Sequence, residues 1–279
     1  MSLLVPLYVY PSKEKLNTWR LIEDAARAGR PMKVIINPDN GPGKKVSSTY
    51  AANIAKLAAA GADTHHSAMT MLGYVFTEYG KRPIDEVKAD VRKWREFYPQ
   101  VTGFFFDEAA SKPDKLAYYK EICEYAKAKA GEECFICLNP GTVCDEGYMK
   151  IADCVVIFES PLDSWQKYSL NVSFKEGHFP AWMARYPSDR FAIMILKVGE
   201  VVGASGTMTA PTPALIDSVG RKALESANFI YMNPKWEGKS SYPVISGPYW
   251  GELLKLVSGF GSTPISKHHS LCCHHKEAP

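Results

Sequence analysis

Eight short apolar runs, separated by helical patterns, set the frame for this chain. The runs fall at 3–10, 33–36, 68–76, 103–106, 134–138, 154–158, 191–196 and 229–232. Helical periodicity falls at 14–28, 48–60, 84–98, 114–130, 213–226 and 250–258, with a short piece at 146–151 and an irregular stretch after the sixth run. The runs do not alternate with polar residues, so each reads as a strand buried on both faces. Strands separated by helices pair in parallel. Eight such units in 279 residues predict an α/β fold, a closed (β/α)8 TIM-like barrel, which takes about 250 residues. The barrel is expected to be a single domain over residues 1–262, with a flexible tail over 263–279. A doubly wound open sheet is the structural alternative.

The clearest run is Gly103-Phe104-Phe105-Phe106-Asp107-Glu108, where apolar bulk ends abruptly in two carboxylates. Burial disfavours a charged carboxylate, and adjacent negative charges repel, so the pair is costly unless it serves a purpose. Capping of the next helix would account for one acid but not for two. Val155-Val156-Ile157-Phe158-Glu159 repeats the design. In a barrel, chemistry sits at the carboxyl ends of the strands. The polar residues there are Tyr8, Tyr10, Asn37, Asp39, Thr77, Asp107, Glu108, Asn139, Glu159, Lys197 and Asn233. They suit the binding of hydroxyl groups more than the binding of metals or phosphates.

Cleavage of a glycosidic bond needs two carboxyl groups flanking it, one to protonate the leaving oxygen and one to attack or to activate water. Asp107 is assigned as nucleophile or base and Glu159 as general acid, with Glu108 tuning or positioning them. Because neighbouring strand side chains point opposite ways, only one of Asp107 and Glu108 is expected to face the substrate squarely. Tyr8, Asn37, Asn139, Lys197 and Asn233 are the candidate substrate-binding residues. No metal site and no cofactor are expected.

Asn37-Pro38-Asp39-Asn40-Gly41-Pro42-Gly43 lacks the glycine and hydroxyl positions of a phosphate loop. It reads instead as a rigid turn aiming Asn37 into the mouth, and Asn139-Pro140-Gly141 has the same build. Lys197 reads as a substrate-contacting or ion-paired lysine, ahead of a Schiff-base nucleophile. Trp165, Tyr168, Phe174, Phe179, Trp182 and Tyr186 form either a wall for sugar rings or a satellite core.

The charge balance, 33 basic to 30 acidic residues, and the lack of a basic run interleaved with aromatics speak against nucleic acid. No apolar run approaches the roughly 18 residues of a membrane span. Residues 2–10 read as a first strand and not as a signal peptide, so the chain is intracellular or has lost a leader. Seven cysteines are an odd number for a disulfide framework, and those between Cys123 and Cys154 read as core filler. The Asn171-Val172-Ser173 sequon does not outweigh this. The His268–His275 segment matches no zinc-finger spacing.

Several motifs together resemble the spherulin 4-like family. They are residues 6–11 with Trp19, Asn37-Pro38 with residues 41–43, Gly73-Tyr74-Val75 with Tyr79-Gly80, residues 103–108, Asn139-Pro140-Gly141 and Phe158-Glu159. The resemblance runs over residues 4–258 and implies a (β/α)8 barrel. It also implies a relation to fungal and microbial glycoside hydrolases that cleave α-1,4-linked N-acetylgalactosamine in galactosaminogalactan. The functionally important acids of those enzymes fall on Asp107, Glu108 and Glu159. Members often carry His where Lys197 stands and Thr-Asp where Asn233-Pro234 stands. The expectation is therefore an endo-α-1,4-N-acetylgalactosaminidase-like hydrolase with an oligo- or polysaccharide partner. The alternative is a non-catalytic carbohydrate-binding or stress-related surface protein on the same barrel.

Overall fold

Glycine at position 73 decides which way its strand faces. A Cβ there would lie 2.7 Å from the indole of Trp94, so Gly73 faces the helix layer and its neighbour Tyr74 faces the barrel interior. The computed structural model from which this geometry is taken describes residues 1–62, 69–169, 180–199, 201–202, 207–208, 211–234, 245 and 247–259. The expected tail, the sequon, Phe174 and Phe179 lie outside the described residues.

The barrel strands are β1 (Ser2–Leu7), β2 (Met32–Ile36), β3 (Met69–Phe76), β4 (Gly103–Asp107), β5 (Ile136–Leu138), β6 (Cys154–Pro161), β7 (Phe191–Leu196) and β10 (Phe229–Met232). They close in the order β1-β10-β7-β6-β5-β4-β3-β2, with parallel pairing throughout. Between β7 and β10, β8 (Val201–Val202) and β9 (Thr207–Met208) form a small antiparallel hairpin that the sequence pattern does not announce.

The helices are α1 (Leu16–Arg27), α2 (Ser48–Ala62), α3 (Ile84–Phe97), α4 (Leu116–Ala130), α5 (Leu162–Ser169), α6 (Pro213–Leu224) and α7 (Gly247–Gly259). Each buries a stripe at helical spacing, as α3 does with Val87, Val91 and Trp94. Helix α5 occupies the start of the stretch expected to be irregular, and only a 3-10 turn, Glu146–Lys150, follows β5. Strand β5 starts at Ile136 because Cys134 still belongs to the preceding turn, its N–H donating to the Gly131 carbonyl at 3.1 Å.

The three phenylalanines of β4 divide between two cores. Phe104 and Phe106 stack on each other at 6.1 Å between ring centres. Phe105 faces the interior opposite Tyr74, 6.3 Å away. All three are at most 1% exposed, and each contributes roughly 1.5–3 kcal/mol by burial. Cys123, Cys134, Cys137, Cys144 and Cys154 are free and buried, as core filler should be. Burial pushes the Cys134 thiol up to about 11, which keeps it protonated and unreactive.

Candidate active site

Strand register carries the interior face from Tyr74 to the acids. Tyr74 pairs with Phe105, Phe105 with Cys137, and Cys137 with Cys154. Side chains two apart on a strand share a face, so Asp107 and Asn139 also point inward, beyond Phe105 and Cys137. Cys154 and Val156 continue that face on β6. By simple alternation Phe158 would come next and Glu159 would point outward.

A bulge reverses this. Val156 pairs with Ala192 but Phe158 pairs with Ile193, leaving one extra residue in β6. Glu159 consequently pairs with Met194, on the same face as Ala192. The bulge turns Glu159 into the barrel mouth, a common use of such irregularities beside active sites.

Asn139 then joins the acids. Its Nδ2 donates to Asp107 Oδ1 at 2.7 Å and to Glu159 Oε2 at 2.6 Å. The amide cannot be reversed, because its Oδ1 accepts the Gly141 N–H at 3.0 Å. Gly141 also accepts the Glu159 N–H at 3.0 Å, and its own φ of 65° suits glycine. The turn after β5 therefore positions both its own asparagine and the glutamate of the next strand. Asn37 is also held by its own loop, its Oδ1 accepting the Gly41 N–H at 2.9 Å. The two loops differ in build, since Asn37 bonds four residues ahead and Asn139 two.

The second oxygen of Asp107 accepts from the hydroxyl of Tyr74 at 2.7 Å. Burial raises the Asp107 carboxyl above its usual value, while bonds from Tyr74, Asn139 and the Glu108 N–H pull it back. Burial and the charge of Asp107 push the Tyr74 phenol far up, so it stays a donor. Tyr8 stands against Tyr74 edge to face, with 5.6 Å between ring centres. Tyr74 is the member of this candidate site that the sequence reading missed. The available signal was a lone phenol inside an apolar strand, whose hydroxyl has to find a partner.

Glu108 takes the left-handed conformation, with φ 48°, so it departs from the strand and does not simply alternate with Asp107. Thr77, fully buried, latches this turn. Its hydroxyl lies 2.7 Å from the Asp107 carbonyl and 2.9 Å from that of Glu108. Neither acid caps the following 3-10 turn, whose N-cap is Lys112. Lys197 is also left-handed, with φ 52°, at the end of β7. Asn233 is fully buried, and its main chain ties the two loops through Asn233 N–Ile195 O and Val198 N–Asn233 O, both 2.8 Å.

The aromatic group divides. Trp165 is buried against Phe158, with 5.1 Å between ring centres. Trp182 packs on Tyr186 and on Phe191. Phe191 opens β7, so that pair is a satellite core at the end of the barrel away from the acids. No group of three or more metal-ligating side chains occurs among the described residues.

Known proteins agree with this architecture. Aspergillus clavatus Sph3, solved in complex with GalNAc, is similar with a TM-score of 0.70 and 25% identity, over 92% of this chain and 97% of that one. The GH113 β-mannanase AaManA from Alicyclobacillus acidocaldarius shares the fold, with a TM-score of 0.52 and 10% identity, over 92% of this chain and 96% of that one. Spherulin-4 from Physarum polycephalum is 38% identical over 186 residues, which is 64% of this chain and 52% of that protein. The chain thus spans about half the length of that relative. The model of spherulation-specific family 4 matches residues 2–257, and the chain belongs to this family.

Proposed function

We propose that this protein is a glycoside hydrolase acting on an amino-sugar polysaccharide, in the manner of an endo-α-1,4-N-acetylgalactosaminidase. One observation carries the reading: Asp107 and Glu159 share the Asn139 amide at the carboxyl end of a barrel. The likeness to a structure holding GalNAc supports the choice of sugar.

In this reading Asp107 is the nucleophile. Both its oxygens accept from neutral donors, which orient it and favour its ionised form. Glu159 protonates the leaving oxygen, and Glu108 shapes the charge around them. The nearest Asp107 and Glu159 oxygens lie no further apart than bonds of 2.7 Å and 2.6 Å laid end to end. Nearest oxygens this close favour the shorter separation of retaining enzymes, about 5–5.5 Å, over the roughly 6.5–9.5 Å of inverting ones. Asn37, Tyr8 and Lys197 would hold sugar hydroxyls and the acetamido group. Asn139, its amide hydrogens taken by the two acids, positions them. Asn233, expected from the sequence to bind substrate, is fully buried and supports the loop instead.

The test is product analysis on α-1,4-linked N-acetylgalactosamine oligomers with the protein and its Asp107→Asn and Glu159→Gln variants. The wild type should cleave them, and each variant should be slower by roughly 10²–10⁴-fold. Binding of the oligomers without cleavage by the wild type would replace this reading with the non-catalytic one.

A further inference from the structure

Glu78 and Tyr79 are consecutive left-handed residues, with φ 50° and 54°. Non-glycine residues adopt this conformation uncommonly, and two in succession need a surrounding structure that enforces them. Here the enforcement is visible. Tyr79 N–H donates to the Glu108 carbonyl at 2.6 Å, and Gly80 N–H donates to Thr77 at 3.0 Å. The loop after β3 is therefore pinned to the loop that carries two of the acids.

The side chain so presented buries little, since Tyr79 is 51% exposed. Partial burial, and after it the charges of Glu108, Asp107 and Glu159, raise its phenol above the ordinary value. Core packing does not explain a strained, exposed ring whose main chain is bonded to the loop of Asp107 and Glu108. Tyr10, also 51% exposed, leaves the barrel two residues after Tyr8. It is propped edge to face on Tyr50, with 5.6 Å between ring centres. Tyr79, Tyr10 and Val46 are the exposed large hydrophobic residues among those described, and all lie in the loops leaving β1, β2 and β3.

We propose that Tyr79 and Tyr10 are the platforms of a saccharide track running from the acids across the rim of β3 and β1. This rests on the carbohydrate reading above and extends it: several units of a polymer are gripped, not one terminal sugar. Tyr79 stacks on the sugar beside the cleaved bond, and Tyr10 on a unit further along. An aromatic ring binds the apolar face of a pyranose while its hydroxyl reaches the sugar edge, and neither needs a buried pocket.

The test uses the full chain and the Tyr79→Ala, Tyr79→Phe, Tyr79→Gly and Tyr10→Ala variants. KM and kcat are measured on short and long α-1,4-linked N-acetylgalactosamine oligomers, and binding by calorimetry. Tyr79→Ala should raise KM or Kd about tenfold on all lengths, with a smaller change in kcat. Tyr10→Ala should do so on long oligomers alone, and Tyr79→Phe should restore most of the affinity. Tyr79→Gly should bind as weakly as the alanine variant while melting higher, because glycine relieves the left-handed strain. A residue present for stability would shift both readouts downward together. Cleavage by the wild type with Tyr79→Ala and Tyr10→Ala unchanged overturns the track and leaves the hydrolase reading intact. Binding without cleavage, lost in Tyr79→Ala, sustains the track and overturns the hydrolase. Failure of the wild type to bind any oligomer overturns both.

Discussion

Asp107 and Glu159 are joined through a single nitrogen, the Nδ2 of Asn139, which lies 2.7 Å from one carboxylate and 2.6 Å from the other. The asparagine sets both their distance and their orientation. Asn139→Ala should remove both bonds and lower kcat/KM by roughly 10²-fold or more, with a smaller change in KM. Asn139→Asp should be worse, since it places a third negative charge between the two. Steady-state kinetics on a defined oligomer checks both.

The closeness of the acids also sets the expected stereochemistry. Hydrolysis should release product with the anomeric configuration of the substrate, which NMR of the first product formed reads directly. Initial release of the opposite anomer would remove Asp107 from the nucleophile's role.

Tyr74 should appear in the pH profile. Asp107 has to be ionised to attack, and its bond from Tyr74 favours that form. Tyr74→Phe removes the bond, so the carboxyl rises further and the acid limb of kcat/KM should move to higher pH. An unmoved limb with a uniformly lower rate would mean that Tyr74 only packs.

The raised Asp107 carboxyl has a thermodynamic counterpart. A carboxyl whose folded value exceeds its unfolded one, about 3.9 for aspartate, holds its proton more tightly in the folded state. Its favourable contribution is complete below the unfolded value and is lost as pH rises through the folded one. Asp107→Asn avoids that loss. The variant should therefore melt above the wild type at neutral pH, with the gap closing towards about pH 3, while turnover falls. Calorimetry across pH checks the sign.

The close approach at Gly73 gives a prediction away from the chemistry. A Cβ there meets the Trp94 ring at 2.7 Å, so Gly73→Ala should cost about 1–3 kcal/mol, measured by urea unfolding. The folded fraction should keep its catalytic constants.

Much of this was legible in the sequence, for identifiable reasons. Buried parallel strands announce themselves as unbroken apolar runs, so all eight barrel strands and the acids at their ends could be located. Asn37 and Asn139 were legible because proline and glycine mark the turns that aim them. Tyr74 was not, because a tyrosine in an apolar strand looks like packing until its hydroxyl is seen to meet a carboxylate. The left-handed turn at Glu108 was hidden too, since a latch from Thr77, in the loop after β3, holds it. The assignment of Trp182 depended on where its loop returns to the barrel, which composition does not encode.

The bulge in β6 behaves like an insertion in a code read two letters at a time. What matters at Ile157 is less which residue is present than that one more is present than alternation allows. Straightening the bulge with every residue kept would leave the catalytic set intact in composition and still turn Glu159 from the lumen to the helix layer. The reach of this acid into the mouth is thus a property of counting. Aligning relatives with a gap shifted by one position at this point would pair the glutamate with residues on the wrong side of the wall.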